Sequence, residues 1–145
     1  MPSVNVYLTF KGNCEDAFNF YRSVFGGEFP YVGRFNEMPP QEGMPAIDEE
    51  MGKRIMHISL PMDEGTTLMG SDTGGEWAKD YQPGNNFSLS LKAGSRAEAD
   101  RLFAALSAGG QVTMPLADTF WQSYFGMLID KFGIRWQMSY DAPRA

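Results

Sequence analysis

The feature that most constrains this chain is a strand-then-helix pattern that occurs twice, with the two helical stripes 82 positions apart. In "VNVYLTF", Val6, Leu8 and Phe10 alternate with Asn5, Tyr7 and Thr9, the two-residue period of a half-buried strand. The turn "KGNCED" follows, with Asn13 placed to cap a helix. The stretch "EDAFNFYRSVFGG" then sets Ala17, Phe20, Tyr21 and Val24 at the spacing of a core-facing helical stripe and stops at Gly26-Gly27. In the second half, "NNFSLSLK" sets Phe87, Leu89 and Leu91 against Asn86, Ser88 and Ser90. Its helix carries Ala99, Leu102, Phe103 and Leu106, each 82 positions beyond its counterpart, and closes on Gly109-Gly110. A period near half of 145 residues predicts two copies of one supersecondary unit.

Strand-like segments complete each copy. The first has "GEFPYVGRF", "RIMHISLPM" and "TTLMGSD", the last two joined by the turn "DEG"; the second has "GQVTMPLAD", "FGMLID" and "IRWQMSY", the last two joined by "KFG". The expected fold class is therefore α+β: two βαβββ modules, about 1–72 and 85–145, joined by a connector at 73–84 within one domain. The Pro-rich, acidic segment 36–53 stands outside the repeat and reads as a loop or lid. Each helix must cover one face of its sheet, so parity sends Asn5, Tyr7, Thr9, Asn86, Ser88 and Ser90 to the other face. Two such faces set side by side would make a cleft lined from both halves.

Composition narrows the function classes. A formal charge of −6 argues against nucleic acid, which rewards basic patches. No apolar run reaches the ~18–20 residues of a membrane helix, and "MPSVNVYLTF" has neither the basic region nor the cleavage site of a secretory signal. Cys14 is the one cysteine, which excludes an intrachain disulfide and a cysteine metal cage. These features lead to the expectation of a cytoplasmic protein with no nucleic-acid or membrane partner.

Several motifs resemble those of a known group: "FKGNCEDA" with Phe20-Tyr21, "NEMP" at 36–39, "LMGSD" at 68–72, "DTFW" at 118–121 and "FGMLIDKFGIRW" at 125–136. Together with the paired βαβββ modules, they resemble the vicinal-oxygen-chelate superfamily (glyoxalase I, extradiol dioxygenases, bleomycin-resistance proteins), and within it the PhnB-like branch labelled 3-demethylubiquinone 3-methyltransferase-like. A Rossmann-type S-adenosylmethionine site would expect G-x-G-x-x-G between a strand and a helix, and this sequence has none.

The resemblance implies metal ligands on the first and last strands of each module, usually His, Glu and sometimes Gln. The positions that match are Asn5, Asn86, Gln137 and, on the fourth strand, Met69 or, by a shifted register, Thr67 or Ser71. None is His, Asp or Glu, so the expectation is no metal and no cofactor. The one histidine, His57, alternates with Met56, Ile58 and Leu60 and would share a face with Ile55 and Ser59. It reads as a ligand-binding hydrogen bonder or general base, or as a satisfied sheet histidine. Asp72 and Asp118 are candidate cleft carboxylates, of a kind that more often serves as a turn or cap residue, Asp130 shapes a turn, and Cys14 belongs to packing. Phe120, Trp121, Tyr124 and Phe125 form either an aromatic wall or part of a core or dimer interface. The reading is a homodimer that binds a small organic molecule without metal, through Asn5, Tyr7, His57, Met69, Ser71, Asn86, Ser88 and Gln137, walled by Phe120, Trp121 and Tyr124. A metal-dependent lyase, isomerase or dioxygenase is the alternative, and catalytic residues are not identified.

Overall fold

The computed structural model describes residues 2–39, 42–43, 47–63 and 65–143; parts of the 36–53 segment and Glu64 of the "DEG" turn lie outside them. The chain forms two compact units, 1–82 and 83–145. Unit 1 runs β1 (Val6–Phe10), α1 (Cys14–Phe25), β2 (Tyr31–Arg34), α2 (Glu49–Lys53), β3 (Ile55–Pro61) and β4 (Thr67–Asp72). Unit 2 runs β5 (Leu89–Lys92), α3 (Arg96–Ser107), β6 (Gln111–Asp118), β7 (Tyr124–Ile129) and β8 (Arg135–Tyr140). The sheet orders are β1-β4-β3-β2 and β5-β8-β7-β6, and in each the first strand pairs in parallel with the last. The long crossover that a parallel pair requires is supplied by α1 in one unit and α3 in the other.

The helices α1 and α3 each cover one face of their sheet and pack an aromatic ring onto a glycine. In α1 the buried stripe is Cys14, Ala17, Phe18, Tyr21 and Val24. Phe18 takes the place that the sequence pattern gave to Phe20, because Gly70 on β4 leaves a hole for it: a Cβ on Gly70 would lie 2.6 Å from the Phe18 ring. Phe10, Tyr21 and Phe29 all make edge or T-shaped contacts with that ring. In α3 the stripe is Ala99, Leu102, Phe103 and Leu106, as the repeat predicts. Phe103 rests on Gly126 of β7, where a Cβ would lie 2.9 Å from its ring.

Helix ends show where the copies diverge. Ser95 caps α3 by accepting from the Glu98 amide at 3.0 Å, whereas the Asn13 side chain makes no capping bond. The α1 start is held instead by Asp72 from the end of β4. Its Oδ1 accepts from the Gly12 and Cys14 amides, both at 2.9 Å, and its Oδ2 from the Ile55 amide at 2.9 Å. Asp72 is therefore a buried strut joining β4, the β1–α1 turn and the start of β3. Asp130 does similar work in the β7–β8 turn, accepting from the Phe132 and Ile134 amides at 2.8 and 3.0 Å and from the Trp136 indole at 2.8 Å.

The fifth strand is shorter than the alternation implied. It begins at Leu89, so Asn86 and Ser88 precede it, and Phe87 is 58% exposed rather than covered by a helix. A bulge in the β2–β3 pairing, where Gly33 pairs with His57 but Arg34 pairs with Ile55, turns Ile55 into the core and off the His57 face. The 36–53 segment contains α2, whose N-cap Asp48 accepts from the Met51 amide at 2.7 Å.

Candidate functional site

The helix-free face of the unit 1 sheet gathers the chemistry. Register places Tyr7, Met69, Ser59 and Tyr31 in one row across β1, β4, β3 and β2. One step along, Thr9 pairs with Ser71 and Gly33 with His57. The Tyr7 hydroxyl and His57 Nδ1 lie 3.2 Å apart in a hydrogen bond whose donor depends on the imidazole tautomer. The His57 ring sits between two tyrosines, with centroids 5.6 Å from Tyr7 and 5.8 Å from Tyr31. Gly33 makes this possible: a Cβ there would lie 2.6 Å from the Tyr31 hydroxyl, so Tyr31 folds across the bare backbone toward His57. Both tyrosines remain about half exposed, at 48% and 49%. The result is an aromatic shelf with an imidazole at its centre and hydroxyls and a thioether beside it. It can stack a flat or apolar group and hydrogen-bond a polar one.

Tyr7, His57, Met69 and Ser71 thus share one surface, as parity predicted. Asn5 lies just before β1 and spends its amide oxygen on the Thr67 amide at 3.1 Å, extending the β1–β4 ladder. In unit 2, Gln137 pairs with Met127 and Ser90 on the face away from α3. Asn86 and Ser88 belong to the approach to β5 and not to the strand. Tyr124 does not wall this face. It pairs with Tyr140, points to the α3 side, donates its hydroxyl to Asp100 and lies under the Arg96 guanidinium, 3.9 Å from the ring centroid. That hydrogen bond to Asp100 holds the Tyr124 phenol above its ordinary range. The helix-free position belongs to Phe125, 5.8 Å from Trp121. Phe120 and Trp121 cap a tight loop closed by Thr119 and Ser123, and are 95% and 51% exposed.

The other candidates are structural. Asp118 is gripped by both Arg96 nitrogens at 2.9 and 3.0 Å, a bond that holds its carboxyl below the usual range. Cys14 is fully buried; desolvation pushes its thiol up, with Asp72 and Glu15 adding to the effect, the opposite of an activated nucleophile. Tyr31 is a site residue that strand parity in the sequence did not point to. Its signal was the Tyr-x-Gly spacing in "YVGR", which places the ring over a residue without a side chain.

The resemblance implies a metal, and the donors available do not fit one. Among the described residues no three His, Cys, Asp or Glu side chains group to hold an ion. The implied positions offer an amide already bonded to the backbone (Asn5), a thioether (Met69), a second amide (Gln137) and an asparagine outside its strand (Asn86). A tight transition-metal site needs imidazole or carboxylate.

Two four-stranded mixed sheets, each built with a parallel first–last pair and a crossover helix, define a protein of the glyoxalase-type α+β fold. A glyoxylase/bleomycin resistance protein/dioxygenase domain from Frankia sp. EAN1pec shares that fold at a TM-score of 0.66, with 15% identity over 98% of each chain. The chain belongs to the family described as 3-demethylubiquinone-9 3-methyltransferase, whose model matches residues 2–139, the PhnB-like branch of the vicinal-oxygen-chelate superfamily. It is 33% identical to Protein YjdN of Escherichia coli (strain K12), over 96% of this chain and 95% of that one. The crystal structure of protein PA1353 from Pseudomonas aeruginosa is similar at a TM-score of 0.82, with 36% identity over 97% of this chain and 98% of that one.

Proposed function

We propose that the chain is a cytoplasmic homodimer that binds a small organic molecule without a metal, with the ligand resting on the helix-free face of the unit 1 sheet. The observation that carries this reading is the Tyr7–His57–Tyr31 cluster, kept half exposed over Gly33. Half-exposed aromatics beside hydrogen-bonding groups are the usual composition of a ligand site. His57 hydrogen-bonds the ligand, the tyrosines and Met69 give it apolar contact, and Ser59 and Ser71 set its orientation. The family name does not extend this to methyl transfer, because the β1–α1 turn has no glycine-rich strand–loop–helix motif. Exposed edge-strand apolar residues, Val32 on β2 and Val112 on β6, support self-association. The lone, buried Cys14 supports a reducing compartment.

The test is native mass spectrometry and elemental analysis of protein purified without chelator. The expected result is a dimer of the 16.2 kDa chain that carries or accepts an organic ligand, with no stoichiometric transition metal. One zinc, nickel, manganese or iron per chain overturns metal independence, and a strict monomer at micromolar concentration overturns the homodimer.

A further inference from the structure

Described parts of the two segments that fall outside the repeat, α2 and the turn Gly75–Ala78, face each other in unit 1. Between α2 and the 3-10 turn Gly75–Ala78 lies a cavity of about 450 Å³, lined by Asp48, Glu50, Met51, Arg54, Glu76 and Trp77 around the backbone of Gly74 and Gly75. This volume lies within the range of small-molecule sites, and none of Tyr7, Tyr31, His57 or Met69 contributes to it. Trp77 stacks one face on Phe35, with centroids 5.5 Å apart and planes 20° apart, and the ring stays 38% exposed. Glu76 makes no hydrogen bond or ion pair among the described residues. Asp48 commits one oxygen to the Met51 amide, which leaves the second available.

Arg54, the one positive side chain among the described lining residues, does not balance these acids. Arg54 donates to the Thr73 carbonyl at 2.8 Å and to Glu50 Oε1 at 3.4 Å. Its guanidinium lies against Gly12 and Gly74, where a Cβ at either position would press on it. Arg54 is thus wall and not bait, which leaves a pocket with excess carboxylate and one accessible indole. Carboxylates beside a tryptophan face attract a cation that also has apolar surface, because the ring quadrupole and the acids act on the same charge. We propose that this cavity binds a small organic ammonium ion, held by Glu76 and Asp48 against Trp77.

Isothermal titration with choline tests this, with its neutral carbon isostere as control. Saturable choline binding is expected, with none for the isostere. Glu76→Gln and Trp77→Leu should each weaken it about two- to fivefold, the scale of an exposed cation–π or ion contact. Glu76 is exposed, so that variant keeps its fold even if Trp77→Leu does not. His57→Ala should leave choline binding unchanged, which separates this site from the sheet-face site. Absence of choline binding, equal binding of the isostere, or full affinity in Glu76→Gln overturns the proposal. Calcium that binds stoichiometrically and displaces choline also overturns it, by showing an inorganic cation site.

Discussion

Replacing Asp72 with asparagine isolates the strut that orders unit 1. The shape is unchanged, so no cavity forms and only the charge and one acceptor are lost. The native carboxylate receives three backbone amides, two on Oδ1 and one on Oδ2, all at 2.9 Å. An asparagine in its better orientation keeps its oxygen on Gly12 and Cys14 and turns its NH2 toward the Ile55 amide, donor against donor. A hydrogen bond to a charged group contributes about 1.5–3 kcal/mol, and a buried amide left unpaired costs about 1–3 kcal/mol. These overlap, so the net loss is roughly 2–4 kcal/mol, a large part of the ~5–15 kcal/mol that holds a domain together. Urea unfolding followed by circular dichroism gives the global loss, and amide hydrogen exchange at Ile55 shows whether it arises at the strut. An Asp72→Asn variant within about 0.5 kcal/mol of wild type, with Ile55 exchange unchanged, would show that the Asp72 carboxylate does not hold unit 1 together.

Gly70→Ala should lose about 1–3 kcal/mol by overpacking, since the new methyl meets both the Phe18 ring and the Leu8 carbonyl; adding Phe18→Leu should recover part of it, as urea midpoints would show. Cys14 should resist thiol reagents in the native state, labelling only as fast as the chain opens. Because its folded thiol titrates above the unfolded one, its contribution to stability is complete below pH 9.0 and falls as pH rises beyond it, so the alkaline slope is shallower in Cys14→Ala, with the share from Tyr124 remaining. Gly33→Ala should displace Tyr31 from His57, since the new methyl would meet the Tyr31 hydroxyl; the loss of nuclear Overhauser contacts between the two rings would report it while the melting temperature stays close to wild type.

Most of the fold was legible because it rests on periodicity. Two-residue alternation located the strands, and helical stripes located α1 and α3. On the unit 1 sheet, parity alone brought Tyr7, His57, Met69 and Ser71 to one surface. The failures lie where tertiary packing overrides a local pattern. Phe18 displaced Phe20 because a glycine on β4, the strand beside β1 in the sheet, offered it room. The bulge opposite Gly33 moved Ile55 into the core, and nothing in "RIMHISLPM" announces a bulge. Tyr124 was assigned to the wrong face because the aromatic cluster was read as one wall, while β7 alternation sends Tyr124 to Arg96 and Phe125 the other way. The helix α2 was read as loop: five residues with an aspartate cap are too few for periodicity to register.

In the proposed function, unit 1 holds an organic ligand around Tyr7, Tyr31 and His57 without metal. The most direct measurement is an NMR screen of small aromatic and polar fragments against isotopically labelled, chelator-treated protein. Saturable shifts are expected, centred on the Tyr7, Tyr31, His57 and Met69 resonances, lost in His57→Ala and unaffected by the chelator. Shifts that appear only after a transition metal is added, or that leave these four residues unmoved while mapping to other strands, would contradict it.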